Sequence, residues 1–295
     1  MVVAVCGIGC GHGSVATGPL SRWSRRRNFL MPWLNTGSGT AIREKMTVRT
    51  ADRTLDIFES FARRQRPITV SDLARELSLP TSTCFALVRT LVDRGFLYYL
   101  RPRGAVYPTG RLGQVAESIG FHDPIATHIR PILESLRDVT GETVILGKLQ
   151  GLAVVYLEII ESRQAVRYTM AVGTVRELHA SSIGKAIVAA MDDASREAVL
   201  AQLKYPKLTD DTIRNRGQYS RDLEEGRKRG YWTNIGESSP DVMGIALSVK
   251  IFGDLYGINL VGPQSRFNRN LKAYADALRA TVKKVGAIRT ALYDD

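Results

Sequence analysis

The chain has 295 residues, 44% hydrophobic and 24% charged, enough for two domains with a core each. It offers no run of 18 apolar residues, and so no candidate for a membrane-spanning helix. The formal net charge of +12 is uneven. Residues 1–46 hold six Arg/Lys against one acid, residues 47–115 eleven against six, and the rest 24 against 22. All eleven cations of 47–115 are arginine, whose planar fork suits phosphate and guanine. The three cysteines, Cys6, Cys10 and Cys84, are too few for a disulfide framework, which points to a reducing, cytoplasmic setting.

Residues 1–45 differ in character from the remainder of the chain. Val2 to Cys6 with Gly7, Gly9, Gly11 and Gly13 imitates a strand and a dinucleotide loop. His12 stands where the third glycine should be, however, and no amphipathic helix succeeds it. Cys6, Cys10 and His12 have no fourth ligand nearby, so no metal site is read there. The arginines come after the apolar stretch, against a secretory signal. The expectation is a disordered or mis-annotated extension, with initiation near Met46.

Residues 69–95 read as a helix-turn-helix. Val70, Leu73, Ala74 and Leu77 recur at helical spacing, Ser78-Leu79-Pro80 breaks the run, and Cys84, Leu87, Val88 and Leu91 form a second stripe. Thr69 is placed to cap the first helix, with small Ala74 at the crossing. The outward face of the second helix, Thr81, Ser82, Thr83 and Phe85, suits base edges in a major groove. Gly95 ends that helix, and strands at 96–100 and 105–108 turn through Arg101-Pro102-Arg103-Gly104, a basic-tipped wing. Thr69 and Ser71 stand at the start of the first helix. Arg49, Arg53, Arg89, Arg94, Arg101 and Arg103 are candidates for phosphate contact, each of which is otherwise an ordinary solvated arginine.

Helices are expected at 111–120 and 124–140, then strands at 143–149, 153–158 and 165–169. Helices come next near 183–191, 194–203 and 217–229, strands at 231–235, 243–250 and 255–261, and a closing helix from about 268 to 292. This is an α+β pattern, an antiparallel sheet covered by helices. The expected division is 1–45 extension, 46–109 winged helix-turn-helix, 110–122 linker helix and 123–295 effector-binding domain.

From Val48 to Leu292 the chain resembles the IclR family of bacterial transcription regulators. The words that carry this are Arg53-Thr54-Leu55-Asp56-Ile57-Phe58-Glu59, Leu79-Pro80-Thr81-Ser82-Thr83, Thr140-Gly141-Glu142-Thr143, 178–186 from Leu178 to Ala186, and Gly262-Pro263-Gln264-Ser265-Arg266. The resemblance implies a winged helix-turn-helix, a linker helix and a GAF-like effector domain. It also implies homodimers or dimers of dimers on palindromic, double-stranded operator DNA. Repression, activation or both, controlled by a small metabolite that is often a carboxylate, are implied as well.

The resemblance places the effector pocket at His179, Ser181, Ser182, Ile183 and Lys185. Physically, hydroxyls and backbone N–H groups at a helix start suit a carboxylate. The stretch is not a phosphate loop, because His179 and Ala186 stand where a glycine and a hydroxyl are required. The second wall runs from Asn234 to Ser248. There Asn234-Ile235 replaces the family's usual acidic pair, Asp241 a glycine, Gly244 a cysteine or small residue and Ser248 a proline, while Glu237 is retained. Leu146, Tyr156, Tyr168 and Met243 are candidates for an apolar lining, though strand spacing equally describes plain core. Two bland alternatives stand beside the site: His179 as a loop histidine bonding backbone, and Lys185 as the partner of an acid.

The leading reading is an effector-responsive DNA-binding homo-oligomer with no catalytic residue, cofactor or metal. One rival is an enzyme using the winged domain only to dimerise. With four histidines in the chain, no nucleophile–base–orienter set converges in sequence. The other rival binds DNA without sequence preference, and a specificity ratio over competitor DNA separates the two.

Overall fold

The computed structural model describes residues 48–100, 104–121, 123, 125–251 and 253–288. The expected extension and the wing-tip arginines Arg101 and Arg103 lie outside them.

Helix α1 (Arg49–Arg64) buries Ile57 and Phe61 and stops where Gln65 turns left-handed at φ 53°. Strand β1 (Ile68–Thr69) leads into α2 (Val70–Glu76), and the Thr69 hydroxyl accepts from the Asp72 amide at 3.2 Å. After the turn, α3 (Thr81–Asp93) packs Cys84, Val88 and Leu91 onto Leu73 and Ala74. Gly95, at φ 74°, closes α3. Its amide reaches the Val92 carbonyl and that of Phe96 reaches Leu91, both at 2.8 Å. Strands β2 (Leu97–Leu100) and β3 (Ala105–Pro108) then form the wing, in a sheet of order β1-β3-β2.

Helix α4 (Arg111–Phe121) comes next. The helix expected at 124–140 is two pieces, a π-helical turn at Ile125–Ile129 and then α5 (Arg130–Thr140), stopped by Gly141 at φ 73°.

The rest is a six-stranded antiparallel sheet of order β6-β5-β4-β9-β8-β7. Its strands are β4 (Thr143–Gln150), β5 (Ala153–Ile160), β6 (Val175–Glu177), β7 (Trp232–Ile235), β8 (Val242–Ile251) and β9 (Asp254–Pro263). Alternation along the strands divides two apolar clusters. Val144, Leu146, Ile245 and Ile258 pack with Leu133 and Leu136 of α5 and with Phe267 and Leu278 of α9 (Gln264–Ala287). Ile145, Val154, Tyr156 and Ala246 pack with Ile183 and Ile187 of α6 (Ser182–Ala190). Leu200 of α7 (Asp193–Gln202) and Leu223 of α8 (Arg216–Arg229) join this second cluster.

Two expectations need correction. Residues 165–169 form no strand, and the third strand is β6, paired with Ala153–Val155. Around 161–170 the polar groups are taken up by other partners. Ser162 Oγ donates to the Gly141 carbonyl, Thr143 Oγ1 to the Tyr168 carbonyl and Arg266 Nη1 to the Val166 carbonyl. The closing helix also begins at Gln264 rather than near 268, directly after Pro263, whose extended backbone starts it.

Candidate functional site

The DNA-facing candidates gather at the start of α3. Thr81, Ser82 and Phe85 are exposed and Thr83 is half-buried, while the opposite face of the helix is core. Phe85, half exposed, is a large apolar ring left in water on a helix whose inner face is otherwise satisfied. Arg89 is exposed, 3.9 Å from Asp93. Arg94 is exposed, with its guanidinium over the Phe96 ring at 5.9 Å, and that of Arg111 stands over the same ring at 5.2 Å. On α1, Arg49 is exposed and Arg53 half-buried. Ser71 is exposed on α2. Thr69 is different: its hydroxyl donates to Asp72 Oδ2 at 2.7 Å and caps the helix, so it is already committed.

On the sheet, His179 to Lys185 run into α6. Ser181 is the cap and accepts from the Gly184 amide at 3.3 Å. Gly184 has no room for a side chain, because a Cβ there would overlap the Leu178 carbonyl. Ser182 Oγ donates to Asn259 Oδ1 at 3.1 Å, and Gly244 lies against the same two groups. Asn234 Nδ2 donates to the Ala180 carbonyl at 2.5 Å and to Ser238 Oγ at 2.9 Å, while its Oδ1 accepts from the Glu237 amide. The two walls therefore meet around Ser182, Asn234, Gly244 and Asn259. Ile183 is fully buried beneath them and Ile235 stands 40% exposed.

Lys185 is completely buried with its ammonium group fully engaged. Its Nζ donates to the Thr233 carbonyl at 2.9 Å and to Glu237 Oε1 at 2.5 Å, and lies 2.9 Å from Asp222 Oδ2. A lysine neutralised by two carboxylates is not a free anchor for an anion. His179 is also buried. Burial holds its imidazole below the usual histidine range; the Pro206 carbonyl opposes this and Lys185 reinforces it. Its Nε2 lies 3.1 Å from the Pro206 carbonyl, which can only accept, so Nε2 carries the proton and Nδ1 is bare.

Of the apolar candidates, Tyr156 and Tyr168 are on the α6 side, and Tyr168 Oη accepts from Arg176 at 2.8 Å. Leu146 and Met243 are not. Strand alternation turns both to the opposite face, where they are core against α5 and α9, which corrects the expectation of a shared pocket wall. Sequence reasoning does not reach Asn259 or Asp222. Asn259 has one visible signal, an amide in the apolar run from Ile258 to Val261, whereas Asp222 looks like any surface acid of a charged helix.

A winged helix-turn-helix joined in one chain to a helix-covered antiparallel sheet is the build of a DNA-binding transcription regulator. Residues 50–101 match the family profile "IclR helix-turn-helix domain", and residues 121–287 match "Bacterial transcriptional regulator IclR C-terminal". The HTH-type transcriptional regulator BhcR of Paracoccus denitrificans is 30% identical over 234 residues, 78% of this chain and 84% of that protein. The Thermotoga maritima IclR structure shares the fold at TM-score 0.69 and 21% identity, covering 82% of this chain and 98% of that one. An IclR homolog from Microbacterium hydrocarbonoxydans, complexed with 4-hydroxybenzoate, does so at TM-score 0.65 and 24% identity, covering 82% and 99%. The chain belongs to the IclR family of DNA-binding transcription regulators, whose C-terminal domain binds effectors.

Proposed function

We propose that this regulator binds a palindromic operator as a homodimer or dimer of dimers, and that a small carboxylate in the C-terminal domain alters that binding. The observation that carries the DNA half is the outward face of α3, where Thr81, Ser82 and Phe85 are free while Cys84, Val88 and Leu91 hold the helix to its core. Thr83, Ser71 and Arg89 flank this face. Arg49, Arg53, Arg94, Arg101 and Arg103 serve phosphates. The proposed parts are 1–45, 46–109, 110–122 and 123–295, in a cytoplasmic setting and without a catalytic role. The relatives' names support regulation, and His179 is held neutral with its one N–H spent on a carbonyl.

The effector half is supported by the hydroxyl and amide groups of Ser182, Asn234 and Asn259 converging at the start of α6. The 4-hydroxybenzoate complex of the Microbacterium homolog makes a carboxylate a reasonable chemical class. A second copy is supported by α4, where Leu112, Val115 and Ile119 stand 40%, 41% and 68% exposed along one side.

The test is a mobility shift at about 150 mM salt with the gene's own upstream DNA, excess competitor and carboxylates added singly. A competitor-resistant complex altered by one acid is expected. Binding that competitor DNA abolishes at every upstream and genomic site would sink the operator reading.

A further inference from the structure

Along the outward face of α3, Thr81, Phe85 and Arg89 form one exposed row at four-residue spacing, and Ser82, Ala86 and Thr90 form the next. Cys84, Val88 and Leu91 fill the core from the other side of the helix, so the half-exposed Phe85 ring is left to meet a partner. In a helix-turn-helix regulator the partner of this face is a major groove, and base edges are reached mainly by residues near the helix N-terminus. There the hydroxyls are those of Thr81 and Ser82, and the apolar groups are the Phe85 ring, the Ala86 methyl and the Thr81 methyl. Further along, Thr90 Oγ1 donates to the Ala86 carbonyl at 2.9 Å, and Arg89 and Asp93 stand 3.9 Å apart.

Each base asks for a different side chain in the major groove. Guanine takes the fork of an arginine or a lysine, adenine the amide of Asn or Gln, and cytosine a carboxylate, whereas thymine presents a methyl group. Helix α3 contains no Asn, Gln, Lys or Glu, and its one arginine and one acid lie in its second half. Hydroxyls both donate and accept, so Thr81 and Ser82 discriminate little between bases. Apolar surface at this place has one counterpart on a base edge, the thymine 5-methyl.

We propose that α3 reads thymine: the Phe85 ring, flanked by Ala86 and the Thr81 methyl, packs against thymine 5-methyl groups in each operator half-site. This rests on the reading that the outward face of α3 enters the major groove, and adds which base that face selects. Arginines on phosphates fix the position of the helix and carry no base preference of their own. The apolar contact supplies the preference, because cytosine sets a bare ring edge and an amino group where thymine sets its methyl.

Selection by the full chain from duplexes with about 20 randomised base pairs, enough for two half-sites one helical turn apart, tests this. Thymine is expected at one or more fixed positions of each half-site. Uracil in its place removes only the methyl and is expected to weaken binding about fourfold per methyl, or about fifteenfold in both halves together, at about 150 mM salt. Cytosine at the same position is expected to bind more weakly than 5-methylcytosine, which restores the methyl without thymine's hydrogen-bonding pattern. Phe85→Ala, at a half-exposed position, is expected to keep its Tm and to lose most of the uracil effect. Half-sites built only of G·C pairs, or uracil bound as well as thymine, overturn the inference and leave the operator reading standing. A uracil effect of full size in Phe85→Ala also overturns it. Enrichment of no sequence at all overturns the operator reading and the inference together.

Discussion

Glu142 is 1% exposed and spends its whole carboxylate on partners far along the chain. Arg266 donates to both oxygens, at 2.6 and 2.8 Å, and Tyr274 Oη donates to one at 3.1 Å, tying the start of β4 to α9. Gly262 has to be glycine because a Cβ there would overlap the same carboxylate. Glu142→Ala leaves Arg266 with only the Val166 carbonyl and takes from the Tyr274 phenol its carboxylate acceptor, and the expected loss of stability is about 3 kcal/mol by urea denaturation. A loss below about 1 kcal/mol would show that the cluster is solvated like a surface pair. His179 yields a pH dependence. Its folded-state pKa lies below the ordinary 6.5, mainly through burial, so the unfolded chain binds the proton more readily. Its contribution to stability is full above pH 6.5 and is lost as pH falls below that value. His179→Gln, which retains an N–H for the Pro206 carbonyl, is expected to flatten the fall in Tm between pH 7 and pH 5.5. An identical slope in wild type and variant would assign the effect to another group.

At the scale of elements, α4 is the least satisfied helix. Arg111 to Gly120 are all exposed, and Leu112, Val115 and Ile119, at i, i+3 and i+7, make one apolar side. Such a stripe has no reason to persist in water unless another surface covers it, and a second copy presents an identical one. Val115→Glu with Ile119→Glu is expected to weaken self-association at least about tenfold in sedimentation, with helix content by circular dichroism preserved. An unchanged association constant would place the contact elsewhere. Other elements show how local pattern and outcome relate. The helix-turn-helix was legible because its start, break and stop are each written in side chains: the Thr69 cap, Pro80 and Gly95. Residues 165–169 alternate like a strand, yet their carbonyls at Val166 and Tyr168 are taken by Arg266 and Thr143. Local alternation states which groups prefer to face apart; it does not state whether a neighbouring strand is available.

For the whole molecule, the division into an arginine-rich first part and a near-neutral second part is a property of composition, and it agrees with a DNA-binding module succeeded by a ligand-binding sheet. Helical spacing in 70–91, period-two alternation in 143–158 and 243–261, and the glycine and proline stops determined the elements. Those preferences act between neighbours a few residues apart. The family words pointed to the two candidate sites. Which polar groups at those sites are free was decided only by tertiary structure. Ser182 meets Asn259 from 77 positions away, Lys185 meets Glu237 from 52, and Glu142 meets Arg266 from 124. Leu146 and Tyr156 look alike as apolar strand residues, yet the sheet sends them to opposite faces. A buried charge takes its meaning from whatever the fold brings within about 4 Å, because Coulombic and hydrogen-bond energies are short-ranged once water is present. That is why the sequence leaves Lys185 open between a pocket residue and the partner of an acid, while in the fold it is held by two acids.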